Sequence, residues 1–464
     1  MANTYYIDWA NGLDSNDGLS EASPKKSHVE IKLNPGDTVL FKRGGFIRSW
    51  LAATSGSKEG LITYGAYGEG PNPVFCGSFD ASSPDVWIEE SPNIWKYNGE
   101  VTDEPCNIIF NNGESCGNLR WLMEDLKNQG EWFDRDMGNP AYRRYKRDGA
   151  SRFGWSDNVP PEGYVRPLYI YSEKNPGEYY DHIEYVTFAR FAMSTAVYAS
   201  YEDLTFINSG VHGVTGEHDL FVENCEFHFI GGACFSRTMR IRFGNGVESF
   251  QFPKNVEVTN CLFNNIYDSC ITHQGFWGCT PGVDIHYTHN LMMNYGMAAY
   301  EVRDHIPIRT SFNDNICIGA GLGFAAQGEE PPRNSEIWPF PMGHHVFLWR
   351  MVKQTPDPEA ILEIKRNVFY DAPVGAAIYS FIMEEPEKQL DIDDNVYYTT
   401  SKKMINRFGE VNYKTEEFDR YVSETGQDKN SRYEKIDIRA AVRKWYKESG
   451  KGEVSDETLS FFGI

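Results

Sequence analysis

The feature that most constrains this chain is a short pattern that keeps returning. An apolar/polar alternation leads into an Asn, and two or three apolar residues follow. It reads LFVENCEF at Asn224, VEVTNCLF at Asn260, VDIHYTHNLMM at Asn290, TSFNDNICI at Asn315, LEIKRNVFY at Asn367 and LDIDDNVYY at Asn395. The intervals between these Asn residues are 36, 30, 25, 52 and 28. A weaker copy, DLTFINSGV, carries Asn208. Alternation with period 2 predicts strands with one buried face. No helical pattern separates them, so parallel strands must return by coiling, each turn stacking on the last. The expectation is an all-β chain forming a right-handed parallel β-helix of roughly eight to eleven rungs, from about residue 30 to 400. Asn at a fixed point suits a turn position of left-handed φ, and stacked Asn side chains can bond from rung to rung. Cys225 and Cys261 follow their Asn residues at equivalent points and would stack as small buried thiols.

Irregular intervals locate insertions. The longest holds residues 325–345, AAQGEEPPRNSEIWPFPMGHH, expected to wall a groove beside the coil. A second insertion is expected at about 112–165, opening with a short amphipathic helix in GNLRWLMEDLKNQ. The organisation read is therefore residues 1–412 as coil and 413–464 as a capping tail. That tail is expected to be partly helical, in EEFDRYVSETG and IRAAVRKWYKESG.

Charge and cysteine usage bound the function. Acidic residues number 66 and basic residues 44, a net of −22, which argues against nucleic acid and, short of a local basic groove, against polyanionic glycans. No apolar run is long enough to span a membrane. The opening MANTYYIDWANG has neither a basic n-region nor an apolar h-region. As written it predicts a cytoplasmic protein, or a secreted or periplasmic one if a signal has been removed. Nine cysteines, an odd count with no CxxC pair, predict free thiols. Aromatic residues at 14% suit sugar stacking and equally suit a large core.

Several stretches resemble a known group. YYIDWANGLDSNDGLSEASPKKS, LNPGDTVLFKRGG and LITYGAYGEGPNPVF resemble the start of many bacterial right-handed β-helix carbohydrate-active enzymes. GEWFDRD, PLYIYSEKNPG, RIRFGNGVE, NIYDSCITHQG, NYGMAAYEV and TGQDKNS extend the resemblance from residue 5 to beyond 430. The nearest group is the β-helix glycoside hydrolases like family 141, which includes α-L-fucosidases and xylanases. The resemblance implies a pectate-lyase-like solenoid, a glycosidase activity and an oligo- or polysaccharide substrate of plant or host origin. It also implies acidic site positions at Asp268, in the YDAG-like YDSC, and at Glu301, in YEV.

Glycoside cleavage needs two carboxyl groups flanking one bond. Asp268 and Glu301 fall past the same turn on consecutive rungs, one strand spacing apart, and form the first candidate pair. Glu248 in GNGVESF is the next candidate, ahead of Glu217 and Asp219. In a chain with 66 acids, the competing reading of each is a solvated charge or a turn cap. Candidate substrate contacts are His273, Gln274, Arg242, Arg303 and Asp304, with Trp277 and Trp338 as stacking platforms. For His273 and Arg242 the alternatives are a structural His and ordinary ion pairing. His286 with His289, and His344 with His345, are poorly spaced for a metal on strands. No metal or other cofactor is implied, although Ca²⁺ held by scattered Asp residues, as in many pectate lyases, stays open. The rival functions are a polysaccharide lyase or sugar epimerase on the same scaffold, and a non-catalytic glycan-binding solenoid. The stretch from Lys254 to Glu301 contains one Lys and no Arg, which disfavours neutralising a uronate carboxylate there.

Overall fold

The structure is a computed structural model describing residues 2–101, 103–134, 166–188, 190–236, 241–275, 282–303, 306–326, 343–349, 359–381, 389–400, 404–408 and 411–464. It is a right-handed parallel β-helix. Three long sheets run the length of the coil. Sheet A has ten parallel strands, from Thr4–Ile7 to Leu390–Asp393. Sheet B also has ten, from Phe46–Ile47 to Arg432–Tyr433. Sheet C has nine, beginning at Ala192–Thr195 and closed by the antiparallel strand Val411–Lys414. The coil therefore starts well before residue 30.

Register explains the interior. Along sheet B, Phe75, Phe206, Phe227 and Phe263 pair in successive rungs, and their rings stack 4.9–5.7 Å apart. Along sheet C, Val214, Val247, Ile271, Tyr300, Val346 and Ile378 form one inward row. Period-2 alternation sends the neighbouring residue of each to the outside.

The turn from sheet A to sheet B holds the Asn ladder, at four of the six Asn positions that the repeat suggests. Left-handed φ belongs to Asp203, Asn224, Asn260, His289, Asp314, Arg366 and Asp394. The ladder residue is the next one along: Cys225, Cys261, Asn290, Asn315, Asn367 and Asn395. Asn315 Nδ2 donates to the Tyr287 carbonyl (3.1 Å) and to Asn367 Oδ1 (3.1 Å), while its N–H also donates to Asn367 Oδ1 (2.9 Å). Asn290, Asn367 and Asn395 repeat the pattern, and Asp428 closes it beyond Asn395. Cys225 and Cys261 occupy the same site, each thiol reaching the equivalent carbonyl, Tyr201 and Val222, at 3.5 Å. Asn224 and Asn260 are thus turn residues, whereas Asn290, Asn315, Asn367 and Asn395 are ladder residues. The eight described cysteines are free thiols; Cys279 lies outside the described residues.

The coil is interrupted between Val74–Cys76 and Ala192–Thr195, a longer interruption than residues 112–165. A four-stranded and a five-stranded sheet, mostly antiparallel, fill it and enclose a core of Trp87, Phe110, Trp132, Ile170 and Tyr185. The amphipathic helix expected in GNLRWLMEDLKNQ is absent. Asn118–Leu119 is a strand and Met123–Asp125 a single 3₁₀ turn. Leu119 and Trp121 are anchored in that second core, and strand pairing with Glu131–Phe133 overrides the helical period.

The tail divides its work. Helix Phe418–Thr425 caps the coil's end, with Tyr421 against Tyr397 and both hydroxyls on Asp428. Helices Ile438–Glu448 and Asp456–Phe461 lie instead along the outside of sheet B. Val442, Trp445, Leu459 and Phe462 cover Leu262, Leu291, Met293, Ile316 and Ile318 there. Among the described residues no helix is long and apolar enough to cross a membrane.

Candidate functional site

The outward row of sheet C carries the chemistry. Thr195, Thr215, Glu248, Thr272, Glu301, Phe347 and Tyr379 are register partners in successive rungs. Glu248 and Glu301 are therefore aligned two strands apart, a backbone separation of about 9.6 Å, with Thr272 between them. The sequence GNGVE explains how Glu248 is set. Gly246 passes so close to the next rung that a Cβ there would lie 2.5 Å from the Cys270 carbonyl. Val247 then drops into the core and Glu248 points out.

Asn245 joins three rungs at this point. Its Nδ2 donates to Glu248 Oε2 (2.7 Å), its Oδ1 accepts the Ser269 N–H (2.9 Å), and its own N–H donates to His212 Nδ1 (3.1 Å). His212 Nδ1 also lies 3.0 Å from Glu248 Oε2. A ring nitrogen accepting from a backbone N–H carries no proton of its own. Nδ1 therefore has no proton to give Glu248, and its one lone pair is already turned to Asn245. The electrostatics agree. Burial pushes Glu248 up to about 7, with the Glu301 charge adding to the rise and Asn245 and Arg303 opposing it. Burial drives His212 down to about 3. Burial thus disfavours charge on both groups, and the 3.0 Å contact is one between neutral partners and not an ion pair.

Glu301 is treated differently. It is 0% exposed, yet Arg303, two residues on and on the same face, places Nε at 2.9 Å and Nη2 at 2.6 Å from its Oε1. Ser269 Oγ donates to the other oxygen at 3.3 Å. The Arg303 side chain keeps 21% exposure. Asp268 is buried at the turn entering the strand, and its charge acts on both Arg303 and His212. Arg303 is held above its ordinary value by Glu301, Asp268 and Glu248, against the cost of burial.

The three candidate acids thus share one buried cluster, but the pairing differs from the expected one. Asp268 is not the register partner of Glu301. It sits one turn earlier, where its carbonyl accepts from Met297 N–H at 2.9 Å. Glu248 is the acid aligned with Glu301. Gln274 is the register neighbour of Arg303 and donates to Thr272 Oγ1 at 3.4 Å, so it too lies on the outer face.

Two expected substrate contacts are structural. His273 belongs to the inward row with Val302 and Leu348, and its Nδ1 bonds the core Tyr300 hydroxyl at 3.0 Å. Arg242 spends its guanidinium on the Gly232 and Cys106 carbonyls and Asn107 Oδ1, and lies over the Tyr267 ring. Glu217 is exposed, and its carbonyl accepts from Ser249 Oγ at 3.1 Å, next to Glu248 in the chain. Asp219 is a turn residue bonded to Asn255 and His218. Asp304, Trp277 and Trp338, with most of the 325–345 loop, lie outside the described residues. Among the described residues no three His, Cys, Asp or Glu side chains group to hold a metal ion. His344 and His345 turn to opposite sides, His344 accepting from Ala376 N–H and His345 bonding Tyr295.

His212 and Asn245 were not legible as site residues. His212 carries no motif of its own. Asn245 lies in the GNGVE stretch, three residues before the acid it holds.

No known family model matches the chain, and no curated protein matches it in sequence. Solved structures do match in shape. One is XylC in complex with xylose, at 12% identity and a TM-score of 0.56, with 88% of this chain and 67% of that one covered. A GH136 lacto-N-biosidase from Eubacterium ramulus aligns at 14% identity and a TM-score of 0.48, over 94% of this chain and 68% of that one. Pectate lyase Pel9A aligns at 12% identity and a TM-score of 0.47, over 89% and 72%. The likeness is one of fold.

Proposed function

We propose that this protein is a carbohydrate-active enzyme, a glycoside hydrolase in which Glu248 is the general acid and Glu301 the second carboxyl. One observation carries the reading: two carboxyls aligned on one outer row, one held protonated toward neutral pH and the other matched to an arginine. Pushing two carboxyl environments apart is how an acid and a base are assigned in one site. Glu248 would protonate the leaving oxygen, its proton oriented by His212 and Asn245. Glu301, held by the Arg303 guanidinium, would activate water or attack carbon, with Asp268 acting on Arg303. Backbones two strands apart favour the wider carboxyl separation of inverting enzymes, about 6.5–9.5 Å, over the retaining separation of about 5–5.5 Å. The resemblance to family 141 and the shape shared with a xylose-bound protein support a saccharide substrate.

The test is a screen of aryl glycosides and plant oligosaccharides, with the product anomer followed by proton NMR. Hydrolysis with inversion is expected, and Glu248→Gln should lower kcat at least about a hundredfold. An unsaturated, ultraviolet-absorbing product lost on chelation would establish the lyase instead. Full activity in Glu248→Gln would remove the acid from this role.

A further inference from the structure

Beside the carboxyl row, toward the start of the coil, two large rings stand open at the surface. Trp50 is 40% exposed and Phe191 is 45% exposed. They belong to separate segments that the first rung of sheet C brings together. Leu51 N–H donates to the Met193 carbonyl at 2.9 Å, and the Arg190 guanidinium lies 3.8 Å from the centre of the Trp50 ring. Phe191 is tied directly to the site. Its carbonyl accepts the His212 N–H at 3.1 Å, and its ring meets the His212 ring edge-on at 4.7 Å. His212 is the residue that bonds Glu248. Thr195 and Thr215, whose hydroxyls are joined at 2.7 Å, precede Glu248 in its row on the same first rungs. Thr195 is exposed and Glu248 is buried, so the row leads from solvent to the acid.

We propose that Trp50, Arg190 and Phe191 form a binding platform for further sugar units of the substrate, and that the protein acts on an extended oligosaccharide. This rests on the reading of the site as glycan-cleaving. The C–H face of a pyranose is apolar and packs on an aromatic ring, while its hydroxyls need donors and acceptors at the rim. The platform supplies both kinds of group: ring faces from Trp50 and Phe191, forked N–H donors from Arg190, hydroxyls from Thr195 and Thr215. Thr195 to Glu248 spans two strand spacings, about 9.6 Å, and Phe191 meets His212, which lies 3.0 Å from Glu248, so a chain crossing these first rungs has contacts from the platform to the acid. A guanidinium stacked on an indole is also held flat, so little of its freedom is lost when it bonds a ligand.

The test measures binding by calorimetry to the Glu301→Gln protein, with xylohexaose, cellohexaose, hexagalacturonate and arabinohexaose as probes. At least one hexasaccharide should bind. Trp50→Ala and Phe191→Ala, added singly, should each weaken it about tenfold. Trp50→Phe should restore most of the loss. Phe461→Ala, an exposed ring on the C-terminal helix, should leave binding unchanged. Equal affinity in Trp50→Ala and Phe191→Ala would overturn the proposal, and so would failure of all four probes to bind. Hydrolysis is read separately. If the ring variants weaken binding while Glu248→Gln and Glu301→Gln keep full activity, the platform stands and the catalytic assignment falls. If those acids prove essential while ring removal leaves binding intact, the reverse holds.

Discussion

Two rows run along this coil, and they solve opposite problems. At the turn between sheets A and B, the ladder from Asn290 to Asn395 stacks neutral amides. Each bonds its neighbour and a strand carbonyl, so no charge is buried and no polar group is left over. On the outside of sheet C, Glu248, Glu301 and Asp268 are packed together out of water beside the part-exposed Arg303. A buried charge is costly unless matched, and the match here is uneven: one acid has an arginine, another keeps its proton. The contrast separates a row that stabilises the coil from a row that stores reactivity on it.

The comparison is broken most directly on the charged row. Glu301→Gln should cut kcat by about 10²–10⁴, because the carboxylate is lost and the amide cannot replace it. Steady-state kinetics on the substrate found by the screen will show it. On the neutral row the loss should appear in stability instead. Asn367→Ala strips the Asn315 N–H and Nδ2 of their acceptor and the Phe312 carbonyl of its donor. A cost of about 2–4 kcal/mol in urea unfolding is expected.

The pH response should sharpen the contrast. Glu248 is raised from 4.5 to about 7 in the fold, so its contribution to stability is full below pH 4.5 and lost as pH rises through 7. His212 is lowered from 6.5 to about 3, so its contribution is full above pH 6.5 and lost as pH falls through 3. From 4.5 to 6.5 the two slopes oppose each other and nearly cancel. Glu248→Gln should therefore uncover a melting temperature that climbs with pH up to about 6.5, where the parent protein is flat. In the parent, kcat/KM should fall above about pH 7 as the general acid ionises.

Smaller effects test whether the ladder position is interchangeable. Cys261 holds the same carbonyl contact as its Asn neighbours, so Cys261→Asn should extend the ladder and shift stability by no more than about 1 kcal/mol. Arg366 should matter least. It pairs with Asp314 at the surface but also strains a left-handed turn, at φ 57°. In Arg366→Gly the lost ion pair and the relieved strain should offset within about 1 kcal/mol.

Much of the fold was written in the repeat. Alternation showed the strands, and unbroken parallel strands demanded a coil. The ladder was read in place at Asn290, Asn315, Asn367 and Asn395 but one residue early at Asn224 and Asn260, because Asn suits both a left-handed turn and a stacking amide, and the sequence uses it for both. At Asn224 and Asn260 it is the turn; at Asn290 it is the ladder. The interrupting sheets escaped notice because antiparallel pairing over long gaps leaves no local period. In the site, the acids were visible as types but not as partners. The three residues between Asp268 and Thr272 decide which acid aligns with Glu301, and register of that kind is set by three-dimensional pairing. His273 was misread because a strand's inner and outer faces differ by a single step.

The two last helices close over sheet B, with Trp445 Nε1 on the His289 carbonyl and Lys451 reaching Asn224 and Glu226. These are joints between the end of the chain and rungs some two hundred residues earlier. During synthesis, then, the coil can wind rung by rung while Leu262, Leu291, Met293, Ile316 and Ile318 stay uncovered until the helices from Ile438 to Phe461 have emerged and docked. Until then the nascent coil carries a long apolar stripe, and a stalled or clipped chain ending near residue 435 carries it for good. Such a chain would be marked for aggregation or quality control with all of its carboxyl cluster intact.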